Sequence, residues 1–206
     1  EKTCAPMNVV FIGPDGSGKT TLAKRVAEEL GFKYHKCDYK QDDKPNLALS
    51  LLNSQINVVY DRFYYPDDVI YGKLKGEHQD DDDYWKIYND VLSKMEETNT
   101  CIIYATASTE ELLKRLTERG DDYIDINEET IENIKSLYGR FMNFIDSRRI
   151  ATTIIDNTEV TEDTCFEHCI KTIKAGQDVF AGIYDDDLPE GPIPTEEANS
   201  DENDGE

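Results

Sequence analysis

Nowhere in these 206 residues do ~18 apolar side chains run together, so neither a membrane-spanning helix nor a membrane partner is expected. A secretory leader is not expected either. Met7 reads as the initiator, which makes 1–6 an N-terminal extension or expression remnant. A disulfide framework is lacking: five cysteines, an odd number without framework spacing, argue for a reducing, cytoplasmic setting. Basic residues are outnumbered two to one, with 22 Lys and Arg against 44 Asp and Glu and a net charge of −22. Affinity for nucleic acid comes mainly from neutralising phosphates, so this balance disfavours a nucleic-acid partner. The deficit is uneven. Residues 185–206 hold ten acids and no Lys or Arg, leaving −12 for the rest of the chain. That stretch, acidic, Pro- and Gly-bearing and nearly free of apolar side chains, reads as a disordered tail.

What is present starts with Gly13-Pro14-Asp15-Gly16-Ser17-Gly18-Lys19-Thr20, which fits the phosphate-wrapping pattern G-x-x-x-x-G-K-[ST]. The β-branched and apolar run Val9 to Ile12 enters it, and Thr21 to Leu30 leaves it with helical spacing. The glycines let backbone N–H groups turn inward, and the following helix N-terminus adds positive potential. Lys19 can reach the β/γ-phosphates and the Thr20 hydroxyl can ligate Mg²⁺, so the segment from Gly13 to Thr21 predicts an ATP site. An N-K-x-D base-reading motif is absent, which argues against a Ras-like GTPase.

The remaining chain alternates strand and helix. Expected strands are 32–37, 57–60, 101–104 and 152–155; expected helices are 46–55, 83–97, 109–119, 128–148 and 161–174. This order predicts an α/β fold of the P-loop NTPase type, a three-layer sandwich around a five-stranded parallel sheet. One kinase-sized domain would span 7–184, with a lid near 115–127 and the acidic tail at 185–206. Cys165 and Cys169 lie on one face of the last helix and read as core side chains, because no second ligand pair accompanies them.

Two further constellations carry chemistry. The third strand ends in Asp61-Arg62, on the side of an open α/β sheet where ligands bind. Asp61 can support Mg²⁺ directly or through water, and the Arg62 guanidinium can fork onto an acceptor phosphate. After the fourth strand come Arg115 and Arg119. Because the phosphate loop has no Arg of its own, one of these must supply any guanidinium that stabilises the migrating phosphoryl group. Asp38 lies just past the second strand. Aromatics gather from Phe63 to Tyr88, enough for a stacked base, although most of them also suit core packing.

Asp15-Gly16-Ser17-Gly18-Lys19-Thr20-Thr21, Asp61-Arg62-Phe63 and the Arg115-x-x-x-Arg119-Gly120 segment together resemble the thymidylate kinase family over roughly 7–175. The Asp121-Asp122 pair departs from that family's lid, which often carries another Arg. The resemblance implies phosphoryl transfer from ATP-Mg²⁺ to a deoxynucleoside monophosphate, dTMP or a close, even modified, pyrimidine. It implies Phe63 and Tyr71 as base contacts and Asp38 as a sugar contact or Mg²⁺ support, and it allows a homodimer. Two alternatives stay open: a deoxynucleoside kinase using Asp38 as base on a 5′-hydroxyl, and a non-catalytic nucleotide-binding regulator whose tail engages a basic partner. A kinase acting on nucleic-acid ends would need a basic groove that this composition disfavours.

Overall fold

The computed structural model describes residues 5–120 and 126–184. Five strands form one parallel sheet: β1 (Met7–Ile12), β2 (Lys33–Lys36), β3 (Val58–Asp61), β4 (Asn99–Thr106) and β5 (Ala151–Asp156). Their spatial order is β2-β3-β1-β4-β5, so β1 lies at the centre and the chain leaves it in opposite directions on its two sides. Ligands bind at such a reversal, beyond the C-terminal ends of the strands.

Alternation sorts the central strands between two cores. Met7, Val9 and Phe11 of β1, with Val59, Cys101 and Ile103, pack against α1 (Lys19–Leu30) and α7 (Glu162–Tyr184). Val10, Ile12, Tyr60, Ile102 and Tyr104 face the other layer. That layer contains α2 (Lys44–Leu52), α3 (Tyr64–Lys75), α4 (Asp82–Glu97) and α6 (Glu128–Asp146). The short α5 (Thr109–Arg119) closes a satellite cluster of Ala107, Leu112, Leu116 and Ile131. Each strand of β1 and β4 is buried on both faces, which is why it reads as a continuous apolar run rather than an alternation.

Three differences from expectation have physical causes. α3 was not anticipated, because Pro66 near its start, three tyrosines and two acids mask any 3.6-residue period. α7 continues well past 174: Gly176 lies where a Cβ would come within 2.9 Å of the Ala151 side chain, so this glycine permits close helix–strand contact rather than stopping the helix. In α4 the inner side is Tyr84, Tyr88, Val91, Leu92 and Met95, with Trp85 only half-buried. Cys165 and Cys169 sit in the core under α7, and among the described residues no helix is long and apolar enough to cross a membrane. The acidic tail, residues 1–4 and 121–125 of the expected lid lie outside the described residues.

Candidate active site

The loop between β1 and α1 is shaped by what cannot fit. Gly13 has φ 143°, and a Cβ there would meet the Ala105 carbonyl oxygen of β4 at 2.0 Å, so only glycine allows the loop this close to the neighbouring strand. α1 then begins at Lys19 without any side chain capping its first turn. Its free N–H groups and the loop amides border a cavity of about 710 Å³. Open amides at a helix N-terminus form a ready anion site.

Lys19 is buried, and its Nζ donates to the Pro14 carbonyl at 3.0 Å. Burial lowers its pKa to about 8, with Asp67 and Asp61 pulling up and Arg119 and Lys36 pushing down. A buried ammonium held this way gains strongly from a phosphate partner. Thr20 Oγ1 donates to Asp61 Oδ2 at 2.7 Å, and the Tyr34 hydroxyl donates to the same oxygen at 2.6 Å. Asp61 Oδ1 is fully buried yet has no partner among the described residues, and the same holds for Ser17 Oγ. Buried polar atoms without partners call for an explanation. A hydrated Mg²⁺ arriving on the donor phosphates fits this hydroxyl–carboxylate pair, since hard cations take oxygen ligands and keep several waters.

Arg62 follows Asp61 with φ 64°, a left-handed conformation costing a non-glycine residue about 1 kcal/mol or more. Its amide donates to the Phe11 carbonyl at 3.0 Å, and its guanidinium pairs with Asp15. Asp15 and Arg62 border both the donor cavity and a second, smaller one of about 150 Å³. This second cavity is walled by Phe63, Tyr64 and Tyr71 and carries Lys44, Asp67 and Asp68. Asp67 is buried, accepts from the Tyr138 hydroxyl at 2.5 Å and the Phe63 amide at 3.1 Å, and has its pKa raised chiefly by burial. Asp68 accepts from Tyr84 and Tyr88 and lies 3.7 Å from Lys44. Tyr65 instead packs on Tyr88 and Phe141, and Trp85 donates to the His78 carbonyl.

The residues singled out from sequence are thus distributed unevenly. Gly16 through Thr21 border the donor cavity, and Phe63 and Tyr71 border the smaller one. Arg115 also borders the donor cavity, but its guanidinium is spent on Glu111, the Gly16 carbonyl at 2.9 Å and Asn157 Oδ1 at 3.1 Å. Arg119, at the end of α5, borders that cavity, and its guanidinium makes no hydrogen bond or ion pair with the described residues. Asp38 borders neither cavity; it is exposed and accepts from the Lys40 amide in a local turn. Its charge nevertheless adds to the burial that raises the Tyr64 pKa to about 12, so it lies near the wall of the smaller cavity.

Several contributors were not legible. Asn157, just past β5, donates to the Ser17 carbonyl and locks the loop from beyond the sheet; no motif marks it. Tyr34 could have been found by period two along β2, and Asp67 by its spacing in the turn after Arg62. Lys44 and Asp68 depend on the placement of α2 and α3, which only tertiary packing decides.

Comparison with known proteins bears on the family and the fold. A family model for deoxynucleoside kinase matches residues 37–175, and one for the AAA ATPase family matches 9–56. A probable gluconokinase of Schizosaccharomyces pombe is 29% identical over 181 residues, covering 80% of this chain and 90% of that protein. Among solved structures, the YorR protein of Bacillus subtilis, in complex with phosphorylated GDP, superposes with a TM-score of 0.64 at 22% identity, covering 83% of this chain and 98% of that one. Deoxyadenosine kinase from M. mycoides with bound dCTP gives 0.59 at 21%, covering 82% and 100%. These two likenesses concern the fold; the family model concerns two thirds of the sequence. The chain belongs to the deoxynucleoside kinase family and is an ATP-dependent nucleoside or nucleotide kinase of the P-loop class.

Proposed function

We propose that this kinase transfers the γ-phosphoryl group of ATP to the phosphate of a deoxynucleoside monophosphate, with dTMP or a close pyrimidine relative as acceptor. The observation that carries the reading is the junction: a larger polar cavity and a small aromatic one meet at Asp15 and Arg62, with a guanidinium where two phosphates would approach. The phosphate loop amides and Lys19 hold the donor's β- and γ-phosphates. Thr20 and Asp61 would hold Mg²⁺, which supplies charge neutralisation on the donor phosphates. Arg62 exchanges its pairing with Asp15 for the acceptor phosphate, whose ionised oxygen attacks the γ-phosphorus as the bond to the bridging oxygen breaks and ADP leaves. No proton has to be removed, which suits a site where Asp38 borders neither cavity. Phe63 and Tyr71 flank the base, and Arg119 closes over the transferring group. Positioning and charge stabilisation are what phosphoryl transfer requires.

The second reading is a deoxynucleoside kinase, supported by the family match and by the proximity of Asp38 to Tyr64. There Asp38 would swing from its turn to accept the proton of a 5′-hydroxyl. ADP release from ATP-Mg²⁺ with each dNMP, each NMP and each free deoxynucleoside separates the two. Turnover of pyrimidine monophosphates is expected; turnover of nucleosides alone would transfer the catalytic role to Asp38.

A further inference from the structure

Five cations border the donor cavity: Lys19, Lys36, Arg62, Arg115 and Arg119. Three are already committed. Lys19 donates to the Pro14 carbonyl, Arg62 pairs with Asp15, and Arg115 is divided among Glu111, Gly16 and Asn157. Lys36 and Arg119 are the two whose side chains make no hydrogen bond or ion pair among the described residues. They come from opposite sides, Lys36 from the end of β2 and Arg119 from the end of α5. Both charges push the Lys19 pKa down, so both lie within electrostatic reach of the phosphate-loop lysine.

Register fixes Lys36 more closely. It pairs with Asp61 across the parallel β2–β3 ladder and lies two residues beyond Tyr34, on the strand face from which the Tyr34 hydroxyl reaches Asp61. Lys36 therefore flanks the Thr20–Asp61 pair. It borders the donor cavity and not the smaller one, which directs it to the donor's outermost phosphate rather than to the acceptor base. We propose that Lys36 is a further catalytic residue: its ammonium contacts the terminal phosphate of the bound nucleoside triphosphate and shares with Arg119 the charge of the transferring phosphoryl group. The lysine keeps all its protons throughout. It neutralises equatorial phosphoryl oxygens while the acceptor oxygen–phosphorus bond forms and the bond to the ADP oxygen breaks.

The inference rests on the donor-site reading, and its test does not depend on the acceptor. Calorimetric titration of the full chain with ATP-Mg²⁺ and with ADP-Mg²⁺ compares wild type, Lys36→Ala and Lys36→Arg. A charge-assisted contact to the terminal phosphate predicts that Lys36→Ala weakens ATP binding about tenfold or more while ADP binding changes by less than about twofold, with Lys36→Arg recovering most of the loss. The side chain is exposed at the end of an edge strand, so thermal unfolding of the alanine variant should match wild type. Equal weakening of ATP and ADP, or no weakening of either, overturns the proposal. With any acceptor that turns over, kcat should fall in Lys36→Ala while the acceptor KM holds. A panel in which no monophosphate reacts would defeat the acceptor reading and leave the ATP/ADP ratio still decisive for Lys36.

Discussion

The two cavities that meet at Arg62 are built by opposite strategies. The donor side, about 710 Å³, is floored by backbone, the loop amides and the uncapped start of α1, and ringed by five cationic side chains, with glycine where the loop passes β4. The smaller cavity, about 150 Å³ and proposed above to take the acceptor, is made of side chains carried by α2, α3 and the strand ends, with buried Asp67 pinned by Tyr138 from α6. Backbone chemistry recognises what every nucleoside triphosphate shares. Side-chain walls recognise what differs between acceptors, and a wall can be rebuilt without touching the loop.

Substitutions on the two sides should therefore differ in kind, and the largest effect belongs to the donor side. Lys19→Met should cut turnover by about 10²–10³-fold and remove the ATP-induced rise in Tm. The same variant should make the free chain more stable at neutral pH. Folding lowers the Lys19 pKa from 10.5 to about 8, so below pH 8 the folded chain bears the full cost of a buried charge, and this cost fades as pH rises from 8 to 10.5. At pH 7 the gain should be about 2 kcal/mol, after allowing for the lost bond to the Pro14 carbonyl, measurable by urea unfolding. Because phosphates favour the charged lysine, wild-type ATP affinity should also decline above pH 8, by up to about tenfold per unit. A less stable methionine variant would mean that the Lys19 charge is well solvated in the free chain.

A smaller effect is expected on the acceptor side. Tyr138→Phe leaves the buried Asp67 carboxyl with the Phe63 amide as its remaining hydrogen-bond partner from the described residues, costing about 1–3 kcal/mol of stability. Acceptor KM should rise while ATP affinity stays unchanged. If ATP affinity fell instead, the division between the two cavities would be wrong.

The same contrast governs what the sequence revealed. The strand–loop–helix unit from Met7 to Leu30 is legible because glycine spacing and the run from Val9 to Ile12 are local signals. Asp61-Arg62 is legible because strand β3 ends in charge. α3 was hidden by Pro66 and its tyrosines, and with it went Asp67 and Asp68, whose partners come from α4 and α6 far along the chain. Asn157 reaches the phosphate loop only because β5 ends beside β4. Arg115 and Arg119 look equivalent as text, four residues apart on one helix. Only packing separates them, tying one to the loop and leaving the other free of described partners.

The central claim is that Arg62 grips an acceptor phosphate at the meeting of the two cavities. The most direct measurement is kcat/KM for a deoxynucleoside monophosphate and for its nucleoside in wild type and Arg62→Ala, with ATP affinity measured alongside. The account predicts wild-type preference for the monophosphate. It predicts for Arg62→Ala a loss of about 10²-fold with the monophosphate, residing mainly in its KM, while ATP affinity moves by less than about twofold. A wild-type enzyme that prefers the nucleoside, with Arg62→Ala affecting both acceptors equally and Asp38→Asn silencing the reaction, would contradict it.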